Sequence, residues 1–173
     1  MNVFRDPLDR IDLAIVSALQ RDGRLSNADL AVQVNLSASA CLRRVQRLEA
    51  DGVIAGYAAR VSPAALGLGL QAFVRVQLRD HDAATVQTFV ERVAGWDEVV
   101  ACHALTGDMD YLLHVVVEDL EHFSRFVLDH LLNDAGVADV NSSFVLRTVK
   151  RERALPLGHL QRRLPVPRKS GHE

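Results

Sequence analysis

Cysteine is scarce in this chain: two in 173 residues, Cys41 and Cys102, far apart and in no metal-ligand spacing. That argues against a disulfide framework or a zinc site and for a reducing cytosol. No apolar run approaches the ~18 residues of a membrane-spanning helix. No apolar segment follows the opening Met1-Asn2-Val3-Phe4-Arg5-Asp6-Pro7, so a secretory signal is not expected. Catalytic signatures are missing too. The sequence holds no Gly-x-Ser-x-Gly, no phosphate loop and no Cys-x-x-Cys, and it calls for no cofactor.

What is present is ordinary in bulk and uneven in detail. Hydrophobic residues at 49% and charged residues at 24% match a globular protein and exclude wholesale disorder. The net charge of −2 conceals three unlike segments. Residues 1–62 carry eight basic and seven acidic side chains, 63–146 four and thirteen, and 147–173 eight and two. An acidic middle does not favour polyphosphate, whereas a basic helix near one end does.

Helical spacing of Leu8, Ile11, Ile15 and Leu19 predicts a first helix, with Asp6-Pro7 as its cap and Asp22-Gly23 as its stop. Ser26-Asn27-Ala28-Asp29 resembles a capping box for a second helix, and Asn35 suits a left-handed turn after it. Ser37 caps a third, with Leu42, Val45 and Leu48 as its predicted buried stripe. Helix, short turn, helix is the shape of a helix-turn-helix. Residues 54–61 read as a wing or linker strand, and 64–66 as a brief helical piece. Beyond them the rhythm changes to strand 73–78, a helix capped by Asp80 or Asp82 with stripe Val86, Phe89, Val90 and Val93, strand 99–105, and turn 106–110. Strand 111–117, a helix capped by Asp119 with stripe Leu120, Phe123, Val127 and Leu131, and strand 137–149 complete the series. The order βαββαβ is the ferredoxin-like signature. The fold class is therefore α+β, with a helix-turn-helix over 1–53, wing and linker over 54–70, a ferredoxin-like domain over 71–150 and a basic tail over 151–173. Val99, Ala101, Leu112, Val115 and Val117 make the sheet look apolar on both sides, which predicts a homodimer.

On the third helix Ser39, Ala40, Arg43, Arg44 and Arg47 fall within about 140° of one another at the α-helical turn angle. Such an arc suits a major groove: a small residue for approach, a hydroxyl, and arginines for guanine. Ser26 and Ser37 place helix N-termini where amides can hold phosphates. The plain alternative is a solvated basic face. The second candidate is Thr106-Gly107-Asp108-Met109-Asp110-Tyr111. Its carboxylates suit an ammonium group and its amides a carboxylate, which together describe an amino acid. A simple hairpin turn, or a metal held with His103 or His114, are the other readings of the same residues. His103 and His114 otherwise read as structural, Cys41 as a small buried residue, and Trp96 as filling a core edge.

Leu8-Asp9-Arg10-Ile11-Asp12, Asp22-Gly23-Arg24-Leu25-Ser26, Leu36-Ser37 with Cys41 through Glu49, Gly52 through Tyr57, and Thr106 through Leu113 together resemble the Lrp/AsnC, or feast/famine, family. The resemblance spans residues 8–153 and is nearest the leucine-responsive branch. It implies a winged helix-turn-helix joined to a ferredoxin-like effector domain that dimerises, with dimers assembling to octamers. It further implies double-stranded DNA as partner, a small amino acid effector bound at the loop 106–111, with Ser142 and Ser143 of the Asn141-Ser142-Ser143 stretch beside it, and a cytoplasmic, nucleoid-associated bacterial or archaeal setting. Asn35 stands where many relatives have Gly, Ala38 and Ala40 where some have Pro or Thr, and the basic tail is longer than in some. The competing expectations are an architectural DNA organiser with little sequence preference and no effector response, and a metabolite-binding subunit or enzyme built on the βαββαβ domain.

Overall fold

The computed structural model describes residues 7–150 and 154–163. These fall into two compact units, residues up to 60 together with the C-terminal segment 154–163, and residues 61–150.

The first unit begins with α1 (Arg10–Arg21), α2 (Asn27–Gln33) and α3 (Ala38–Ala50). The cap of α1 is Asp9, not Asp6, which lies outside the described residues. A reciprocal box is the reason: the Asp12 amide donates to Asp9 Oδ1 at 2.8 Å and the Asp9 amide to Asp12 Oδ2 at 3.0 Å. That arrangement satisfies two amides which an α-helix leaves unpaired at its start. Ser26 and Ser37 cap α2 and α3, and Asn35 takes the left-handed backbone with φ 54°. Ile15, Ala18, Leu30, Ala31, Cys41 and Leu48 form the core. Leu42, expected inside, is 44% exposed, and Cys41 takes its place. On α3 the inward line is Cys41, Arg44, Val45 and Leu48, the i, i+3, i+4, i+7 pattern of one face. Residues 54–61 form no strand; the segment's Ile54 amide instead donates to the Leu48 carbonyl at the end of α3, at 3.0 Å. Tyr57 ties it to α3 by donating to Glu49 Oε1 at 2.8 Å; burial and that carboxylate push the phenol pKa up to about 12.

The second unit opens with a short 3-10 turn, Pro63–Leu66, followed by β1 (Leu70–Leu78), α4 (Ala83–Val93), β2 (Val99–Ala104), β3 (Tyr111–Val117), α5 (Leu120–Phe126) and β4 (Val137–Phe144). The antiparallel sheet has the order β2-β3-β1-β4. Alternation along β1 and β3 buries Ala72, Val74, Val76 and Leu78 with Tyr111, Leu113, Val115 and Val117 under the two helices. Val115 and Val117, expected to help make the other face apolar, belong to this core. Their odd-numbered neighbours on β3 share that side because strand side chains repeat every two residues. The outer face instead presents Phe73, Arg75, Leu112, His114 and Val116, with Phe73 stacked on His114 at 4.8 Å.

Helix stripes also shifted from expectation. Val90 and Leu120 are exposed, and Phe126 is buried. Beyond α5 the chain makes a π-helical turn, Val127–Leu132. Its wider turn breaks the 3.6-residue period from which the stripe was read, so Phe126 and Leu131 face inward together. Trp96 fills the core edge, against Phe89 and Phe126. Strand β4 stops at Phe144, short of residue 149, because β1 begins at Leu70 and offers its last carbonyl, from Gln71, to Val145.

Candidate DNA-facing helix and candidate ligand cleft

Helix α3 presents Ser39, Arg43 and Gln46 on its exposed side. Ala40 is half-buried at its edge, where the Ser37 hydroxyl accepts the Ala40 amide at 3.3 Å. Ser26 accepts the Asp29 amide at 3.1 Å and donates its hydroxyl to the Asp29 carboxylate at 2.6 Å. Both serines are thus engaged by their own helices. What remains at the ends of α2 and α3 is the amide-rich N-terminus that attracts phosphate.

Two of the three arginines expected on the open arc are elsewhere. Arg44 donates to Asp9 Oδ2 and Asp12 Oδ1, each at 2.7 Å, and Arg47 donates to Asp12 Oδ2. Asp12 is wholly buried, so the pairing anchors α3 to the start of α1. Burial alone would raise the Asp9 carboxyl, but the Asp12 amide and the Arg44 guanidinium outweigh it and leave the pKa below its ordinary value. Burial likewise opposes the Arg44 charge, and the two carboxylates overcome that and raise its pKa further. Arg44 and Arg47 are therefore clamp residues. Arg43 is left as the exposed guanidinium of the arc. Gln46, one helical turn from Arg43, was missed; its spacing of i+3 from Arg43 and i+7 from Ser39 was the available signal.

The second candidate is a cleft of about 390 Å³ on the outer face of the sheet, lined by Arg75, Leu105, Thr106, Asp108, Met109, Asp139 and Asn141. Gly107 carries φ 118°, a backbone that side chains rarely adopt, so the loop turns tightly at its tip. Arg75 donates to Asn141 Oδ1 at 2.8 Å across the β1–β4 pair, which fixes its guanidinium on the outer face. The cleft thus sets a cation against the carboxylates of Asp108 and Asp139, beside the apolar walls of Leu105 and Met109.

Several predicted ligand residues lie apart from it. Asp110 accepts the Leu78 amide at 2.7 Å and contacts His81 Nε2 at 2.9 Å, so its carboxylate anchors the loop to the end of β1. Tyr111 is buried under α4, its ring 4.7 Å from Phe89. Ser142 pairs with Val74 and so faces the helix side, while Ser143 pairs with Phe73 farther along the strand. One residue of register moves a strand side chain to the opposite face. Thr106, Asp108 and Met109 line the cleft, as does Asn141 of the same stretch, and Arg75, Leu105 and Asp139 join them. The missed signal for Arg75 was a lone charge at an outward position of an apolar strand. Among the described residues no group of three metal-ligating side chains occurs.

A helix-turn-helix with an exposed arginine on its last helix, joined in one chain to a ferredoxin-like unit with a polar cleft, defines a ligand-responsive class of DNA-binding regulator. Residues 8–55 match the winged helix-turn-helix DNA-binding family, and 71–155 the Lrp/AsnC ligand binding domain. The chain belongs to the Lrp/AsnC family of transcriptional regulators. A Bkd operon transcriptional regulator from Pseudomonas aeruginosa is 43% identical over 150 residues, covering 87% of this chain and 98% of its own. The leucine-responsive regulatory protein of Rhizobium meliloti is 41% identical over 148 residues, 86% of this chain and 95% of its own. A transcriptional regulator of Neisseria meningitidis, solved as a complex with L-Met, superposes with a TM-score of 0.85 at 47% identity, over 89% of this chain and 99% of that one. Members of this family bind DNA and are not enzymes. No helix among the described residues is long and apolar enough to cross a membrane.

Proposed function

We propose that α3 lies in the major groove of double-stranded DNA, with Arg43, Ser39 and Gln46 toward the bases and the N-termini of α2 and α3 toward phosphates. In the same reading a small amino acid occupies the outer-face cleft. Its carboxylate meets Arg75, its ammonium meets Asp108 or Asp139, and its side chain meets Leu105 and Met109. The observation that carries this is the arrangement of opposite charges around one small cleft, Arg75 held by Asn141 with Asp108 and Asp139 nearby. A zwitterion satisfies both signs at once, whereas a simple anion or cation leaves one unpaired.

The outer sheet face, with Phe73 40% exposed beside Leu112 and Val116, supports dimerisation through that face, and assembly of dimers to an octamer follows the family pattern. Regulation is then linkage. An amino acid that binds one assembly better than another shifts the spacing of the DNA-reading helices, and DNA shifts amino-acid affinity by the same factor. The site of action is the chromosome, in the cytoplasm.

The test is calorimetric titration of the twenty amino acids, paired with DNA footprinting. Arg75→Ala and Asp108→Ala should each weaken amino-acid binding at least tenfold and leave basal DNA binding in place. Unchanged titrations in both variants would remove the ligand assignment.

A further inference from the structure

We infer that a cleft lined by Arg21, Arg24 and Arg60, between the end of α1 and the segment after α3, holds the phosphate strand of DNA that runs along one flank of α3, a role that rests on the reading of α3 as the groove-reading helix.

Charge within the first unit is divided unevenly. Between residues 7 and 60 it has seven basic side chains, all arginine, and six acidic ones. Arg44 and Arg47 are paired with Asp9 and Asp12. Three of the five arginines that remain, Arg21, Arg24 and Arg60, line one cleft of about 560 Å³. No carboxylate among the described residues lines it. Asp22 accepts the backbone amide of Arg24 at 2.9 Å and Glu49 accepts the Tyr57 hydroxyl, so these acids hold the turn and the ring. Arg21 donates only to the neutral Ser17 Oγ, at 3.2 Å, and among the described residues neither Arg21 nor Arg24 is ion-paired. Three guanidinium groups around one cleft repel one another unless an anion enters between them. Arg21 stands in the last turn of α1, where a cation is favourable in any case. Arg24 and Arg60 belong to no helix, so that reason does not extend to them.

A further donor lies at the same place. Gln20 lines the cleft, and its Oε1 accepts the Leu155 amide at 2.6 Å. That bond fixes which end of the side-chain amide is nitrogen. The buried Nε2 is left with no acceptor among the described residues. A buried donor without a partner is unfavourable, and an acceptor entering the cleft serves it together with the arginines. Between the charges the walls are apolar, from Leu19, Tyr57 and Ala58. Arginine forks match phosphate oxygens, and apolar walls match the deoxyribose carbons beside them. Free phosphate would engage the charges alone.

Position then names the strand. A smaller cleft of about 150 Å³ shares Leu19, Gly23 and Tyr57 with the first and runs to Leu42 and Val45 of α3. Leu42 is exposed and lies one helical turn before Gln46. The three arginines therefore stand on the Leu42 side of the arc formed by Ser39, Arg43 and Gln46. A helix in the major groove has a phosphate strand along each flank, and the cleft receives the one on this side.

The experiment uses the full chain and a fluorescent mixed-sequence duplex between about 50 and 200 mM salt, the range over which counterion release is steep. R21Q/R24Q/R60Q should bind several-fold more weakly at low salt. Its slope of log affinity against log salt should be shallower by about 0.9 for each phosphate no longer neutralised. The loss should be equal for an operator and an unrelated duplex, because phosphate contacts carry no sequence information. R21K/R24K/R60K, which keeps the charge, should keep the slope. If the triple glutamine variant fails to fold, R24Q alone, at an exposed position, should still lower the slope by about one contact. Phosphate ethylation on one flank of the site should block the parent and no longer affect the glutamine variant. An unchanged slope and ethylation pattern, with Arg43→Ala still impairing binding, overturns the role of the cleft alone. Calorimetric binding of inorganic phosphate that is lost in R21Q/R24Q/R60Q, with the DNA slope unchanged, overturns it in favour of a small anion. Failure of the parent chain to bind any duplex overturns it together with the groove reading.

Discussion

Arg43, Arg44 and Arg47 look equivalent on a helical wheel, yet two carboxylates divide them. Asp9 and Asp12 stand one turn apart at the start of α1, and Arg44 and Arg47 close on them from α3. Replacing both clamp arginines by Ala leaves Asp12 buried and unpaired, which should cost about 3–5 kcal/mol of stability in a urea melt. Arg43→Ala should leave that melt unchanged and instead weaken operator binding by about 1–3 kcal/mol, read by footprint titration. Acid should loosen the same clamp. The folded pKa of Asp9 is depressed, so its contribution is fully present above the ordinary Asp value of about 3.9. It is lost as the pH falls through the lower folded value. Urea midpoints followed from about pH 5 to pH 2 should therefore fall less steeply for Asp9→Asn than for the parent.

The β2–β3 loop shows how an element can look like chemistry and be architecture in part. Asp108 and Asp110 differ by two positions, and the backbone gives them separate tasks. Asp108 lines the cleft, whereas Asp110 accepts an amide at the end of β1. Asp110→Ala should cost about 1.5–3 kcal/mol, the range for a hydrogen bond to a charged group. It should also speed amide exchange at Leu78, with smaller direct loss of ligand affinity than Asp108→Ala. A loss of ligand affinity with no change in exchange would return Asp110 to the cleft. The π-helical turn after α5 is the other local device. By setting Phe126 and Leu131 inward, it leaves Leu128 and Leu132 on the surface.

The chain divides into two compact units, and the proposed regulation couples them through assembly. The outer sheet face is where this can be tested. Phe73 is 40% exposed and stacks on His114. Phe73→Asp places a charge on each side of a two-fold contact, where it is unpaired once desolvated. Light scattering should report the monomer mass for this variant, and its DNA affinity should fall because paired half-sites are no longer read together. A dimer of unchanged stability would exclude this face.

Apart from the strand expected over 54–61 and the π-helical turn after α5, the order of elements, the capping serines, the left-handed Asn35 and the loop 106–110 were legible in the chain, because each depends on neighbours a few residues apart. Local chemistry, meaning capping, turn preference and apolar period, acts over that range and is written in consecutive letters. Register and pairing are not. Whether Ser142 or Asn141 faces the cleft turns on one step of the β1–β4 ladder, and whether Arg44 faces DNA or Asp12 turns on how α3 rolls against α1. Those choices are made by residues more than thirty positions apart competing to bury apolar surface and to leave no charge unpaired, so only the folded chain decides them.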